Sequence, residues 1–320
     1  MARVVSLGAG LQDIYLIDHD DLGVTNVDGA KILGKISAGG KVDIDKIAYG
    51  VGGGGVNSSI TFVRHGHETI LFSNFSHDPA GAAILRVLDK ENVDTSYINF
   101  LERRATGTSV VLLDSKSGER TILTYRGASE QFGNLDEHDL DLTRPDWLYV
   151  TTLRGDMETL ERFFKYAKKL DIKIMFNPGV KELENQEKLL SLLKYVDILT
   201  VNKEEASKIV PGAVLTELFY RLNYIVDTVI ITDGIMGGIL GNEKEVYRFG
   251  LYEDVKVKDV TGAGDAFGSG FLSEIMNGAS LEKALAFASA NATSVIKQIG
   301  ASDGILTGEE KLHLMPIQKI

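Results

Sequence analysis

The segment Asp259-Val-Thr-Gly-Ala-Gly-Asp-Ala-Phe-Gly-Ser-Gly270 places two glycines and an acid where a strand-like stretch, Val255-Lys-Val-Lys-Asp-Val260, gives way to a helix. The helix is announced by Phe267, Phe271 and Ile275 at i, i+4 and i+8. Gly262 and Gly264 let the backbone approach a ligand closely, and the free amides of a helix start, from Ala263 onward, lie at its positive end. That arrangement suits a phosphate. Asp265, in the first turn, would sit beside a transferring phosphoryl group rather than neutralise it, and could take the proton of an attacking hydroxyl. Phosphoryl transfer otherwise asks mainly for positioning and charge stabilisation. The plain alternative is a turn in which Asp265 favours the helix dipole.

A second constellation, Gly52-Gly-Gly-Gly-Val-Asn57, precedes helical spacing from Ser58 to His65. Glycine backbone and a side-chain amide that both donates and accepts would suit a polyol. The alternative is a flexible hinge with Asn57 as a helix N-cap.

These residues need a scaffold, and the runs 147–151, 172–176, 196–201 and 228–232 read as buried parallel strands. Helical segments separate them, as at Met157 to Leu170, where Leu160, Phe163, Phe164 and Ala167 share a face. The expected fold is α/β, a doubly wound and mainly parallel sheet with helices on both faces. Two regions break the rhythm. Residues 14–48 are polar and Gly-rich, and 105–126 hold a hairpin, Thr108 to Leu113 and Arg120 to Tyr125, around a turn at Ser115–Gly118. We assign 14–48 and 105–126 to a small β-sheet lid, and 1–13, 49–104 and 127–320 to the core.

At 320 residues and 44% hydrophobic content the chain can bury a substantial core. Acidic residues outnumber basic ones 45 to 34, with no basic run to match a nucleic acid backbone. The chain has no cysteine, which removes disulfides, thiol nucleophiles and Cys-based zinc sites together. Asp13 interrupts the first apolar run too early for a signal peptide, and no run is long enough to span a membrane, so a cytoplasmic protein is expected.

The glycine-aspartate segment resembles the second signature of the ribokinase-like (pfkB-type) carbohydrate kinases, departing from it at Val260, and Gly52–Asn57 resembles the first. The resemblance extends from Asp13 to Gly300 with the motifs in order. It implies an ATP-dependent kinase that transfers the γ-phosphoryl group to a hydroxyl of a small sugar or sugar acid. Asp265 would be the base, and Gly262, Ala263 and Gly264 the anion hole. Asp13, Gly52, Gly53 and Asn57 would hold the acceptor. Asn202 and Glu205 resemble the family's Asn-x-x-Glu motif, which holds Mg²⁺ and phosphate largely through water. Thr232 and Gly234 resemble its nucleotide loop, and Asn291 falls where an adenine-side Asn is found. Asp259, with the loop at Gly300-Ala301, resembles the part that binds potassium in some members. Leu11 and Gly54 replace an Asn and a Lys of ribokinases, so the resemblance does not carry over ribose as the acceptor. Arg126 and Arg154 would either pair with an acidic or phosphorylated substrate or form surface ion pairs. A nucleoside kinase or a sugar-phosphate kinase is the alternative within the family. A lid of this kind leaves edges and an apolar face for a second subunit, so a homodimer is also expected.

Three readings from other classes were weighed. Gly50-x-Gly52-x-x-Gly55, with Glu68 downstream, formally fits an NAD-dependent oxidoreductase, though the preceding residues alternate polar and apolar. Gly300-Ala-Ser-Asp-Gly304 matches a hydrolase elbow but follows a helix, with only His313 downstream. A sugar-binding module without catalysis would have no need of Asp265. His65 and His67 are expected at the surface.

Overall fold

The computed structural model describes residues 1–17, 24–27, 30–33, 41, 43–114, 120–250, 255–308, 312 and 315–320. The chain opens with β1 (Arg3–Leu7), β2 (Leu11–Ile17), β3 (Val24–Val27), β4 (Ala30–Leu33) and β5 (Lys46–Gly52). Next come α1 (Gly54–Arg64), β6 (Glu68–Phe75), α2 (Pro79–Lys90), β7 (Ile98–Phe100), β8 (Thr108–Leu113) and β9 (Arg120–Tyr125). The alternating middle runs α3 (Asp139–Thr143), β10 (Trp147–Val150), α4 (Met157–Lys169), β11 (Lys173–Phe176), α5 (Val180–Leu183) and α6 (Gln186–Leu193). It continues through β12 (Ile198–Asn202), α7 (Lys203–Ile209), α8 (Leu215–Asn223), β13 (Thr228–Thr232), β14 (Gly238–Gly241) and β15 (Val246–Phe249). Helices α9 (Ala263–Met276) and α10 (Leu281–Ile296) and strand β16 (Ile317–Lys319) close the chain.

Ten strands form one sheet in the order β16-β15-β14-β13-β12-β11-β10-β1-β6-β7. It is parallel from β13 to β7 and antiparallel from β13 to β16. Alternate side chains of each strand feed two cores. Val5 and Leu7 of β1 and Leu148 and Val150 of β10 join Phe163, Phe164 and Leu189 on one face. Val4 and Tyr149 join Phe62, Phe271 and Leu285 on the other. Burial on both faces explains why these strands read as continuous apolar runs. Helices α9 and α10 pack together, and α9 also meets α1.

A second sheet, in the order β5-β2-β8-β9, has its own small core of Tyr15, Ile17, Val111 and Leu113. β8 and β9 pair antiparallel as the sequence pattern suggests; the turn at Ser115–Gly118 and His313 lie outside the described residues. The sheet takes its first strand from Leu11 and its return strand up to Gly52, paired in register with Leu11. Strand β5 therefore feeds α1 from the small sheet, antiparallel to β2, and Gly50-x-Gly52-x-x-Gly55 does not sit in the βαβ unit that a dinucleotide fingerprint requires.

Two expectations are corrected. Val255–Val260 forms no strand, because Lys258 N and Asp259 N both donate to Ile296 O at the end of α10, at 2.8 and 3.3 Å, instead of to a neighbouring strand. His65 and His67 are buried, at 7% and 4% exposure. His65 packs edge-on against Phe287, its ring centroid 4.1 Å away, and burial pushes its pKa down to about 4, so it is neutral. His67 Nε2 lies 3.0 Å from Ser273 O. No helix among the described residues is long and apolar enough to cross a membrane.

Candidate active site

Helix α9 begins at a tight corner. Gly262 is its N-cap in the left-handed region, at φ 79°, and Ala301 is so near that a Cβ on Gly262 would lie 2.7 Å from the alanine Cβ. This places the Gly300-Ala301 loop directly against the glycine turn. No side chain caps the helix, and around Gly264 the space is open. Ala263 N donates to Val260 O at 3.3 Å, whereas the amides of Gly262, Gly264 and Asp265 have no partner among the described residues, which leaves them for a ligand. The later glycines of the motif do something else. Gly268 faces Tyr149, and Gly270 faces Asn291, where a Cβ would sit 3.3 Å from that of the asparagine, so both permit close packing of α9.

Asp265 lies in the first turn, and its Oδ2 accepts a hydrogen bond from Asn57 Nδ2 at 2.8 Å. The carboxyl keeps part of its surface accessible, yet the surrounding protein removes enough water to raise its pKa, with the Asn57 bond acting in the opposite direction. Tyr149, fully buried beneath α9, has its own pKa raised by burial and by the Asp265 charge.

Asn57 is not an N-cap. Helix α1 starts three residues earlier, after Gly53 at φ 92°, because Ala9 O accepts from Gly55 N at 3.0 Å and Val56 N at 3.4 Å and draws the chain into helix at once. Asn57 is 2% exposed, and its Oδ1 has no partner among the described residues. Thr151 Oγ1, another buried oxygen without a partner, packs against Gly54 at the end of β10.

Asp13, on β2, is 6% exposed and accepts a hydrogen bond from Ser109 Oγ. Gly52 faces its carboxylate so closely that any side chain there would collide with it. Burial pushes the Asp13 carboxyl up to about 6; the Ser109 hydroxyl works against that shift, and the nearby Asp259 charge adds to it. Asp259 accepts from Thr261 N and Oγ1 at 2.9 and 2.7 Å and forms an ion pair with Arg120 of β9, Nε to Oδ1, at 3.2 Å. A monovalent cation expected at Asp259 thus meets a guanidinium already there.

The residues expected on the nucleotide side, Asn202, Glu205, Thr232 and Gly234, lie at or just beyond the carboxyl ends of β12 and β13. Asn202 caps α7 by accepting from Glu205 N at 2.9 Å, while Glu205 Oε2 accepts from Asn202 N at 2.9 Å. Glu205 is half-buried, and burial raises its pKa. Asn202, Thr232, Asp233 and Gly234 line a cleft of about 440 Å³, with Lys203 paired to Asp233 at 3.0 Å. One oxygen of Glu205 is not used in the capping box, and although Glu204 rather than Glu205 lines the cleft, a hard carboxylate oxygen next to Asn202 fits Mg²⁺ held through water. Asn291 does not join this group: it is fully buried, with Nδ2 donating to Ala266 O and Oδ1 accepting from Leu306 N, both at 2.8 Å. A larger cavity of about 650 Å³ lies at the opposite, amino-terminal ends of β10 and β11, near Trp147 and Lys173, away from all these residues.

Arg126 follows β9 and Arg154 follows β10, and neither forms an ion pair among the described residues. Arg120, Thr151 and Glu182 escaped the sequence reading. Only Glu182 left a trace, as the fourth residue of a Gly179-x-x-Glu capping pattern.

The sequence matches the profile of the pfkB family carbohydrate kinases over residues 22–307. The ribokinase of Haemophilus influenzae is 27% identical over 84% of this chain and 88% of that one. The ATP-dependent 6-phosphofructokinase of Thermoanaerobacterium thermosaccharolyticum is 26% identical over 78% and 80%. The crystal structure of a ribokinase-like protein from E. coli, in complex with ATP and Mg²⁺, superposes with a TM-score of 0.78 at 20% identity, covering 96% of both chains, and shares the fold.

The Asp13 carboxyl generates a test. Its folded-state pKa lies above the ordinary value, so the stability it contributes is present below about pH 4 and is lost as pH rises through about 6. Asp13→Asn removes the desolvated charge, and we expect it to raise stability above pH 6 by roughly 2–3 kcal/mol, at about 1.4 kcal/mol per unit of pKa shift, and to flatten the profile below. Denaturant unfolding across this range checks it; a variant destabilised at neutral pH with an unchanged slope would show that partners, not burial, set the state of Asp13.

Proposed function

The chain belongs to the pfkB family of carbohydrate kinases, phosphotransferases with an alcohol group as acceptor, and from that premise we propose that Asp265 is the general base for transfer of the γ-phosphoryl group of ATP to a small sugar or sugar derivative. The observation that carries the reading is the Asn57–Asp265 hydrogen bond at the first turn of α9, beside uncapped helix amides.

In this mechanism the acceptor lies between Asp13, the Gly52-Gly53 backbone and Asn57. Its hydroxyls donate to the Asp13 carboxylate and to the unpartnered Asn57 Oδ1. The hydroxyl oxygen attacks the γ-phosphorus as the bond to ADP breaks, and Asp265 takes the hydroxyl proton. Its raised pKa makes it a stronger base than an ordinary carboxylate, closer to the proton affinity the step requires. Charge developing on the transferring group faces the amides of Gly262 and Gly264, with that of Ala263 shared with Val260 O, and the left-handed corner preorganises them. The nucleotide lies along the cleft with Asn202, Thr232 and Gly234. Glu205 and Asn202 would hold Mg²⁺ with ATP through water, and the ion would supply neutralisation of phosphate charge. Asn291 acts at one remove, holding the Ala266 carbonyl and so the start of α9. The lid's outer face keeps Ile47, Tyr49, Leu123 and Tyr125 exposed, and a second copy of the lid is the partner we place there.

The central test is Asp265→Asn, which keeps size and helix-start geometry. We expect kcat to fall by about 10²- to 10⁴-fold while ATP affinity holds or improves; a variant within about tenfold of wild type, short of the general-base range, with a lowered melting temperature would make Asp265 a helix-dipole residue only. Because Arg120 already pairs with Asp259, replacing potassium by sodium at constant ionic strength should leave the rate unchanged, and strong activation by potassium would remove that account. Light scattering should find a dimer that Tyr49→Glu disrupts; a monomer at every working concentration would exclude the paired lids.

A further inference from the structure

Arg154, three residues after Thr151, and Arg126, three residues before Ser129, are part-buried, and neither forms an ion pair among the described residues. Arg154 follows Thr151, which packs on Gly54, and its backbone is left-handed at φ 60°, a conformation rare for a residue with a side chain. What holds it there is Glu182, fully buried at the start of α5. The Glu182 carboxylate accepts from Thr152 Oγ1 at 2.7 Å, Leu153 N at 2.9 Å, Gly155 N at 2.8 Å and Gly179 N at 2.9 Å. Arg154 N in turn donates to Thr152 Oγ1 at 3.1 Å. The amides of residues 153 to 155 are thus all tied down. The Arg154 Nε is buried and has no partner among the described residues.

Arg126 comes from the end of β9. It begins the turn Gly127–Glu130, which Ser129 fastens to the pocket floor by donating from Oγ to Gly10 O at 3.0 Å, while Ala128 N donates to Ala105 O at 2.9 Å. Glu130, the acid whose charge reaches it, is paired with Arg104 at 3.4 Å. Burial, and then the charge of Arg154, push the Arg126 guanidinium below its ordinary pKa, which places the two cations within each other's field. Two part-buried, mutually repelling guanidinium groups, one on a strained backbone, are a cost to the fold unless an anion joins them. The cleft we assign to the nucleotide lies at β12 and β13, with β11 between them and β10, so that the acceptor rather than the nucleotide base end lies nearer these arginines.

We propose that Arg126 and Arg154 form a clamp for an anionic group on the acceptor, so that the substrate is a hydroxyl compound bearing a carboxylate or a phosphate rather than a neutral sugar or a nucleoside. This inference rests on the kinase reading above. The planar forks of two arginines suit the oxygens of either group, and the acceptor's charged end at the clamp leaves its hydroxyl end free to reach Asp265.

The experiment compares ADP release with gluconate, fructose 6-phosphate, fructose, ribose and adenosine, alongside calorimetric titration of the unreacting protein, without ATP, by 6-phosphogluconate, which carries both groups. Wild type should prefer an anionic acceptor, gluconate turnover marking the carboxylate and fructose 6-phosphate the phosphate. Arg126→Gln and Arg154→Gln should each raise the acceptor KM about 10- to 100-fold, the range for a charge-assisted contact, with the ATP KM little changed, and should weaken 6-phosphogluconate binding in parallel. If either Gln variant fails to fold, Arg154→Lys and Arg126→Lys, which keep the charge and lose the fork, should show the same effect in smaller measure. Preference for fructose, ribose or adenosine, a rise in the ATP KM instead, or equal 6-phosphogluconate binding by wild type and variants overturns the clamp. Failure of the kinase reading looks different: no ADP release with any acceptor, or Asp265→Asn active on all of them.

Discussion

The whole site depends on how closely two stretches of backbone can lie. Helix α1 starts against the end of β1, and a Cβ on Gly55 would fall 2.7 Å from the Gly8 carbonyl, so neither chain could hold its place with a larger residue. That contact sets the depth of α1. At that depth Asn57 reaches across 208 residues of sequence to Asp265, and Ser58 Oγ meets Ser6 Oγ at 2.7 Å. Move α1 outward by the radius of a methyl group and the Asp265 carboxylate loses its hydrogen bond from Asn57.

The surrounding chemistry is costly to the fold. Asp13, Asp259 and Asn57 are nearly or wholly buried, and oxygens of Asn57, Thr151 and Asp259 have no hydrogen-bond partner among the described residues. Each unmet buried polar atom costs about 1–3 kcal/mol. The two large apolar cores on the faces of the sheet offset this, and the polar atoms cluster where the strands end and α1 and α9 begin. A compact site of this kind is preorganised for a polar guest, because its groups cannot relax toward water or each other.

Much of this was legible before any coordinates. The β-branched runs of β10 to β13 announce themselves because burial on both faces leaves no polar alternation, and Phe267, Phe271 and Ile275 mark α9 because one face of it is core. The place of Asp265 in the first turn of α9 was legible because the two glycines before it mark where the helix starts. The failures have a common origin in long-range partners. Val255–Val260 has strand-like alternation, but the acceptor for its amides is Ile296 at the end of a distant helix. His65 looks polar in sequence, whereas Phe287, more than 200 positions away, makes it a core residue. Arg120 could not be seen beside Asp259, nor Glu182 beneath the loop of residues 152 to 155, because both meetings are made by the sheet order rather than by local spacing.

That loop has an evolutionary consequence. Its conformation is set by one carboxylate on α5, by way of main-chain amides and a threonine hydroxyl, and not by any atom of α9 or of the glycine turn. Side chains at its tip can therefore be exchanged while the phosphoryl-transfer apparatus stays in place. On the proposed reading, acceptor choice can change by substitutions at this loop while the Asn57–Asp265 pair and the corner of α9 keep their geometry.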